Sequence, residues 1–209
     1  MRLLALDASL ANCSAAVLVD GLVVSEQAVA GGQGKQLALL AEAVLATAGV
    51  RPAALEAVAV SVGPGSFTGL RASSALARGL ACVAAAEPVG VSLLEVFKHA
   101  LPAPIGRTLW VAVDSRRINH LFLAANAPFR SVARAALPVP SDPIIVAGDA
   151  AAVVVADLVA RGADALLAGP LQPRARDVGA VALRRLAWVL PPLAAVPLYV
   201  DPPAVHAAR

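Results

Sequence analysis

The first half of the chain alternates short apolar runs with breaks rich in glycine or turn-forming residues. Residues 3–8 and 57–62 are apolar runs of the length expected for buried strands. Residues 13–19 and 22–29 are two more runs, and the Asp-Gly dipeptide between them favours a type I′ hairpin turn. The pattern therefore predicts three strands, the last two of them a hairpin, and a fourth strand further along.

Helical segments lie after the hairpin and after the fourth strand. A helix is predicted over residues 35–48, because a glycine cluster precedes it and Gly49 follows it at the position where helices often end in a left-handed residue. A second helix is predicted over residues 70–86, between the glycine-rich turn 63–69 and a Glu-Pro dipeptide. A third helix is predicted over residues 92–101.

The second half begins again with strands, after a proline- and glycine-rich linker at residues 102–106. Its predicted elements are strands at 108–114, 118–125 and 144–147, helices near 150–160 and 176–190, and an extended segment at 197–203. Strands that lead into helices on both sides of a linker predict an α/β fold with mixed sheets. We expect two domains, residues 1–104 and a shorter one of residues 105–209.

The first two predicted helices are apolar on almost every side. The positions expected to face a core are Leu37, Leu40, Ala41, Val44 and Ala48 in the first helix, and Ser73, Leu76, Leu80 and Val83 in the second. The opposite sides carry Ala38, Leu39, Glu42, Ala43, Leu45 and Ala46 in the first helix, and Ser74, Ala75, Arg78, Ala81, Cys82 and Ala85 in the second. A helix that is apolar all round should be buried on more than one side. Either both helices are central to the core of an alanine-rich chain, or their far faces pack closely on another subunit.

Composition first suggests a membrane protein, since 59% of the residues are hydrophobic and mean hydropathy is +0.76. A spanning helix needs roughly 20 consecutive apolar residues. The longest uncharged stretches, 186–200 and 57–70, are instead interrupted by proline or glycine. Asp7 interrupts the first apolar run, so no secretory signal is predicted either. We therefore expect a soluble cytoplasmic protein that makes no membrane contact.

Charge and cysteine content exclude further classes. The net charge is +3, with −1 in residues 1–104 and +4 in residues 105–209. No dense basic stripe with interleaved aromatic residues is present, so the sequence does not indicate nucleic-acid binding by this chain alone. Cys13 and Cys82 are too few for a disulfide framework or a zinc site.

Common catalytic motifs do not match the chain. The glycine cluster before Lys35 lacks the spacing and the Ser or Thr of a P-loop, and Ser66 lacks the flanking glycines of a nucleophile elbow. His99, His120 and His206 stand far apart, without the spacing of a metal site.

Two features are candidates for a phosphate site. Asp7 and Ser9 follow a buried strand, where they either position a metal-bound phosphate or cap their own turn. The run GPGSFTGLR at 63–71 either binds an anion at a helix start or is an ordered turn that serves packing alone. The residues of this candidate phosphate loop are Asp7, Ser9, Gly63, Gly65, Ser66 and Thr68.

The same residues carry a resemblance to a known family. LLALDAS followed by Cys13-Ser14, and the run VSVGPGSFTGLRASSALARGLA, resemble the TsaB (YeaZ) family, bacterial proteins needed for the threonylcarbamoyladenosine modification of tRNA beside the anticodon. PVGVSLLE at 88–95 and the DSR triplet at 114–116 also match, and the resemblance covers roughly residues 1–115. It implies an ASKHA fold, that of actin, hexokinase and Hsp70, with two related α/β lobes.

The resemblance also implies a non-catalytic role. TsaB-like proteins serve as scaffold for the catalytic paralogue TsaD, with the ATPase TsaE joining and tRNA bound only within the complex. The first two helices would contact TsaD, or would pair in a homodimer without it. The implied interface residues are Leu39, Glu42, Ala43, Ala46, Arg71, Ser74, Ala75, Arg78, Ala81 and Cys82. No catalytic residue, metal or cofactor is implied for this chain, beyond a weak nucleotide or one shared at the interface.

Two departures from the family pattern stand out. The triplet at 34–36 is Gly-Lys-Gln where family members usually have a His-Ser pair, and Asp201 stands where the C-terminal family motif has arginine. The competing hypothesis is an ATP-dependent small-molecule kinase of the same superfamily, which would need an adenosine-binding turn in the second half. An older idea for such chains, a glycoprotease, is disfavoured because paired histidines are missing.

Overall fold

The computed structural model describes residues 1–31, 36–101, 106–169 and 172–201. The first part of the chain contains β1 Arg2–Asp7, β2 Asn12–Val19, β3 Leu22–Ala30, α1 Leu37–Ala48, β4 Ala57–Gly63, α2 Phe67–Ala84, β5 Glu87–Ser92 and α3 Leu93–Ala100. The second contains β6 Thr108–Asp114, β7 His120–Ala124, β8 Arg130–Ala133, β9 Ile144–Ala147, α4 Ala151–Val159, β10 Ala165–Leu167 and α5 Ala175–Leu186. Short 3-10 turns cover Pro52–Ala54 and Arg134–Ala136.

The strands form two five-stranded mixed sheets with the same topology. Their orders are β3-β2-β1-β4-β5 and β8-β7-β6-β9-β10. In the first sheet β1 pairs antiparallel with β2 and parallel with β4, and in the second β6 does the same with β7 and β9. The predicted α/β fold with mixed sheets and two related lobes is therefore confirmed.

The first sheet is buried on both faces because β1 and β4 are almost wholly apolar. Leu4 and Leu6 of β1 point into one cluster with the inner sides of α1 and α2. Leu3 and Ala5 point into a second cluster, on the opposite face, which α5 covers. α3 packs against β6 of the second sheet through Phe97, so the first part of the chain shares a buried contact with the second sheet.

The helix α5 comes from the second half of the chain and yet packs on the first sheet. Its buried residues Ala175, Val178, Val181 and Ala182 lie in the cluster with Leu3 of β1. Ser14 of β2 accepts a hydrogen bond from the N–H of Ala175 at 2.9 Å, which fixes the start of the helix. The division of the chain into residues 1–104 and 105–209 stays a prediction.

Several element boundaries differ from the predicted ones for local reasons. α2 begins at Phe67 rather than at residue 70, because the Ser66 hydroxyl caps it by accepting the N–H of Gly69 at 3.2 Å. α5 ends at Leu186, short of residue 190, and Trp188 then takes a positive φ of 59°. The strands β5, β8 and β10 were not predicted. They are six, four and three residues long, and each lies at the edge of its sheet.

Some predictions fall outside the described residues. These are Lys35 at the predicted start of the first helix, residues 102–105 of the predicted linker, residues 202 and 203 of the extended segment, and His206. None of the helices in the described ranges combines the length and hydropathy that crossing a bilayer requires.

Candidate functional site

The candidate phosphate-loop residues come together where β1 ends. The N–H of Ser66 donates to the Ser9 carbonyl oxygen at 2.7 Å, which draws the glycine-rich turn onto the segment after β1. A Cβ at Gly65 would overlap the carbonyl of Ser9, and one at Gly69 would overlap the carbonyl of Ala8. These two glycines are therefore required for close approach to the chain's own backbone. An ordered turn that serves packing alone therefore accounts for both glycines. A phosphate-binding role for the turn stays a prediction.

The other members of that set have different surroundings. Gly63 has a positive φ of 98°, which a glycine adopts without strain. Ser66 caps α2, and Thr68 is exposed at the first turn of the same helix.

Asp7 is completely buried and ends β1. Its Oδ1 accepts hydrogen bonds from the Ser9 hydroxyl at 2.7 Å and from the Ser9 N–H at 3.4 Å. Burial raises the pKa of the Asp7 carboxyl to about 6, although the hydrogen bonds from Ser9 act in the opposite direction. Within the described residues, Asp7 Oδ2 and the hydroxyl of Ser61 make no hydrogen bond of standard geometry, although the Ser61 hydroxyl is near enough to lower the pKa of Asp7. The carboxyl group therefore faces the protein interior.

The second lobe has an ion-paired counterpart of this turn. Asp114 ends β6 as Asp7 ends β1, and its N–H donates to Asp149 Oδ1 at 2.9 Å. Arg116 binds both carboxylates, at 3.2 Å to Asp114 and 3.3 Å to Asp149. Desolvation raises the pKa of Asp149. Sequence reasoning found Asp114 but missed Asp149, although a Gly-Asp pair directly after the strand β9 could have indicated it.

No metal site emerges from these carboxylates. Within residues 1–31, 36–101, 106–169 and 172–201, no three His, Cys, Asp or Glu side chains lie close enough together to hold a metal ion.

The outer faces of α1 and α2 form the second candidate region, here called the outer helix face. The predicted interface residues that are exposed there are Leu39, Glu42, Ala46, Arg71, Ala75, Arg78 and Cys82, and Ala43 is half-buried. Leu39 is the largest of the apolar ones and is 66% exposed.

Two predicted interface residues lie on the wrong side of α2. Ser74 and Ala81 are 3% and 2% exposed and face the core together with Ala77. The predicted core position Val83 is instead 77% exposed, while Leu76 and Leu80 are half-buried. The reason is steric, since α2 lies against β4 and small side chains permit that close packing. In α1, Leu45 is likewise buried rather than outward-facing.

A groove runs between α1 and α2 beside the outer helix face. Its volume is about 640 Å³. Leu45, Leu76 and Leu80 line it, and Glu42 and Arg51 stand among its lining residues as the charged groups. An exposed apolar groove flanked by polar residues is typical of a protein-contact surface.

These features define the class of protein. Two mixed sheets of equal topology, with helices on the faces and a turn rich in glycine after β4, constitute the ASKHA fold. The (R)-2-hydroxyglutaryl-CoA dehydratase component A of Acidaminococcus fermentans shares it, with a TM-score of 0.53 at 12% identity over 90% of this chain and 99% of that one.

Closer relatives narrow the class to a family. The family model for TsaD, tRNA N6-adenosine threonylcarbamoyltransferase, matches residues 29–152. The TsaB protein of Escherichia coli (strain K12), named for tRNA threonylcarbamoyladenosine biosynthesis, is 32% identical over 125 residues, which are 59% of this chain and 54% of that protein. The YeaZ structure from Pseudomonas aeruginosa has a TM-score of 0.79 at 25% identity and covers 95% of this chain and 99% of its own. The chain belongs to the TsaD family, in its TsaB (YeaZ) group.

The match to the Escherichia coli protein is partial. The aligned region spans about half the length of that relative, 54%. The similarity to the Pseudomonas aeruginosa structure extends over nearly the whole of both chains.

Proposed function

We propose that this chain is a non-catalytic scaffold subunit in the biosynthesis of threonylcarbamoyladenosine in tRNA. It binds a TsaD-type catalytic paralogue and thereby enables threonylcarbamoyl transfer to the adenosine beside the anticodon. A TsaE-type ATPase joins this complex, and the tRNA is bound within it. Membership of the TsaD family and the name of the Escherichia coli relative support this pathway.

The outer helix face is the observation that carries the scaffold role. Leu39 and Ala75 are exposed on it, beside the apolar groove between α1 and α2. Burying such a surface against a partner helix is favourable by about 25 cal/mol per Å² of apolar area removed from water. Two of its charges, Glu42 and Arg78, give a partner groups to pair with in a fixed register.

The surroundings of Asp7 support a non-catalytic role. Its carboxyl group is fully buried and accepts a hydrogen bond from the Ser9 hydroxyl. The glycines of the neighbouring turn admit the chain's own backbone. A phosphoryl-transfer enzyme instead needs preorganised groups that reach the phosphates.

The test is reconstitution of tRNA threonylcarbamoylation from a TsaD-type protein, a TsaE-type ATPase and tRNA, with and without this chain. The expected result is that modification requires the chain. Leu39→Arg and Ala75→Arg, which place a charge at the centre of the proposed contact, should weaken TsaD binding at least about 100-fold and reduce modification with it. Both variants should keep the wild-type melting temperature, since both positions are exposed.

Val159→Arg is the matched control, because Val159 is 52% exposed on α4, away from the outer helix face. Wild-type affinity for TsaD in all three variants would refute the interface. Calorimetry with Mg-ATP on the isolated chain addresses the kinase alternative. Tight binding followed by phosphoryl transfer to a small molecule would refute the scaffold role.

The same face would join two copies of the chain when TsaD is absent. Leu39→Arg should then shift the sedimentation of the isolated protein from dimer to monomer, whereas Val159→Arg should leave it unchanged.

A further inference from the structure

A second cavity, distinct from the groove between the helices, lies where the two lobes and the C-terminal segment meet. Its volume is about 640 Å³. Phe67, Phe122 and Tyr199 line it, and Ser115 and Arg117 of the second lobe also contribute. The chain has only four Phe, two Trp and one Tyr, so three of its few aromatic rings meet at this one place.

Phe67, Arg71 and Tyr199 form what we call the aromatic–arginine platform. The guanidinium carbon of Arg71 lies 3.7 Å from the centre of the Phe67 ring and 5.9 Å from that of Tyr199. Arg71 Nε donates a hydrogen bond to the Tyr199 hydroxyl at 3.0 Å. The two rings are 6.1 Å apart, and Phe67 and Tyr199 remain 56% and 50% exposed. Aromatic surface and a cation are therefore presented together to the outside.

Within the part of the chain that the structure describes, no carboxylate lies at ion-pair distance from the cation of the platform. Among the ion pairs of the described residues, Arg71 has no carboxylate partner. Arg117, which lines the same cavity, is paired with Asp201 at 2.8 Å. The platform thus carries a net positive charge at its centre.

The platform is held in place before any ligand binds. The N–H of Leu198 donates to the carbonyl of Val62 at 2.8 Å, and the Arg117–Asp201 pair ties the next residues to the second lobe. Earlier in the C-terminal segment, the carbonyl oxygen of Leu193 accepts a hydrogen bond from the N–H of Gly90 at 2.8 Å. A rigid recognition surface loses less entropy on binding than a flexible one, which favours affinity.

Exposed rings combined with a guanidinium group are suited to stacking on unpaired nucleobases. Each base offers a π-face to the rings, and the arginine adds attraction for the neighbouring phosphate. We propose that the aromatic–arginine platform binds an unpaired base of RNA, which under the proposed function is a base of the tRNA held in the complex. Sequence reasoning missed the platform because Arg71 and Tyr199 are 128 positions apart.

The single tyrosine of the chain makes a direct test possible. Incorporation of 3-fluorotyrosine gives one ¹⁹F resonance, which reports on Tyr199 alone. The labelled full-length chain, free and bound to unlabelled TsaD-type protein, is titrated with an anticodon stem-loop RNA and with a fully paired duplex of the same length. The stem-loop should shift or broaden the resonance, and the duplex should leave it unchanged.

Substitutions then measure the contribution of the rings. Tyr199→Ala and Phe67→Ala should each raise the Kd of the complex for unmodified tRNA about tenfold. Tyr199→Phe keeps the ring and should stay within about twofold. Trp188→Ala is the matched control, because Trp188 is 80% exposed at the end of α5 and does not line this cavity. Melting temperatures identify any variant that loses affinity through unfolding.

Four outcomes would overturn the inference. One is an unchanged resonance with the stem-loop, and a second is an equal response to the duplex. A shift caused by the TsaD-type protein alone, with none on adding RNA, would make the platform a protein contact. An equal response to AMP would make it a site for free nucleotides. Failure of the scaffold proposal would be seen in a different experiment. In the reconstitution assay, tRNA modification would then proceed without the chain, whether or not RNA shifts the ¹⁹F resonance.

Discussion

The environment of Asp7 illustrates how one buried residue reports on the packing around it. Its side chain lies on the face of β1 that carries Leu3 and Ala5, the face that α5 covers. An apolar run leads into Asp7, so the sequence pattern predicts that this carboxylate lies at the end of a buried strand. Its complete burial depends on segments that are distant in the chain, and local pattern does not contain that information.

Replacement of Asp7 by asparagine should change the pH dependence of stability. Because the pKa of Asp7 in the folded state, about 6, is above its ordinary value of 3.8, the folded protein holds the proton more tightly than the unfolded chain does. The free energy of unfolding therefore falls as pH rises from 3.8 to about 6 and stays low above that range. This loss is about 3 kcal/mol, since one pKa unit corresponds to about 1.4 kcal/mol.

Asp7→Asn should remove that decline. Asparagine still accepts the hydrogen bonds from Ser9, and its amide can donate toward Ser61 on the adjacent strand. The variant should be more stable than the wild type above pH 6, as measured by urea unfolding at several pH values. Asp142→Asn, a change at an exposed carboxyl, serves as the control and should leave the profile as it is. A decline between pH 4 and 6 that persists in Asp7→Asn would assign it to another group.

At the scale of elements, the helices were predictable and their orientation was only partly so. The inner face of α1 agrees with the prediction at Leu37, Leu40 and Val44, which contrast with Glu42 on the other side. In α2 the exposed Arg71 and Arg78 mark the outer face, but serine and alanine occupy both faces, so the pattern does not decide on which side Ser74 and Ala81 lie. The orientation of α2 is decided by how closely it approaches β4, and this is a property of the assembled fold.

Two glycines of α2 should respond in opposite ways to alanine. A Cβ at Gly69 would overlap the backbone of Ala8, so Gly69→Ala forces the turn away from β1 and should cost about 3 kcal/mol. Gly79 has nothing near the position of its missing Cβ, so Gly79→Ala should gain about 1 kcal/mol from helix propensity alone. Urea unfolding of the two variants measures both values. Equal stability of the two variants would contradict the close approach between the turn and the end of β1.

At the scale of the molecule, the sequence pattern does not show that a helix from the second half of the chain, α5, packs on the sheet of the first half. Proline and glycine at residues 102–106 predict a division there, and the two sheets do follow one another in sequence. The amphipathic pattern of α5 indicates a helix with one buried side, but a helical pattern does not identify the sheet that it covers. The contact of α5 with Leu3 and Ala5 therefore becomes visible only in three dimensions.

The fragment 1–104 should consequently fail to fold alone. Without α5, the cluster of Leu3, Ala5, Val89 and Val91 loses its main cover, and much of that face of the first sheet is exposed to water, since within the described residues only Val96 of α3 still packs there. A chimera that joins residues 1–101 to residues 172–190 through a flexible linker restores that cover. It should unfold cooperatively in urea and give a dispersed amide spectrum.

The chimera should still melt below the full chain, because Phe97 of α3 loses its contact with β6. The comparison separates two accounts of the chain. A cooperatively folded fragment 1–104 would mean that the first lobe is an independent domain and that α5 merely rests upon it. An unfolded fragment beside a folded chimera would mean that the first lobe is completed by a helix from the end of the chain. In that case a change at either lobe alters the packing that supports the outer helix face. Destabilising variants of α5 should then weaken TsaD binding, although α5 itself does not contact TsaD.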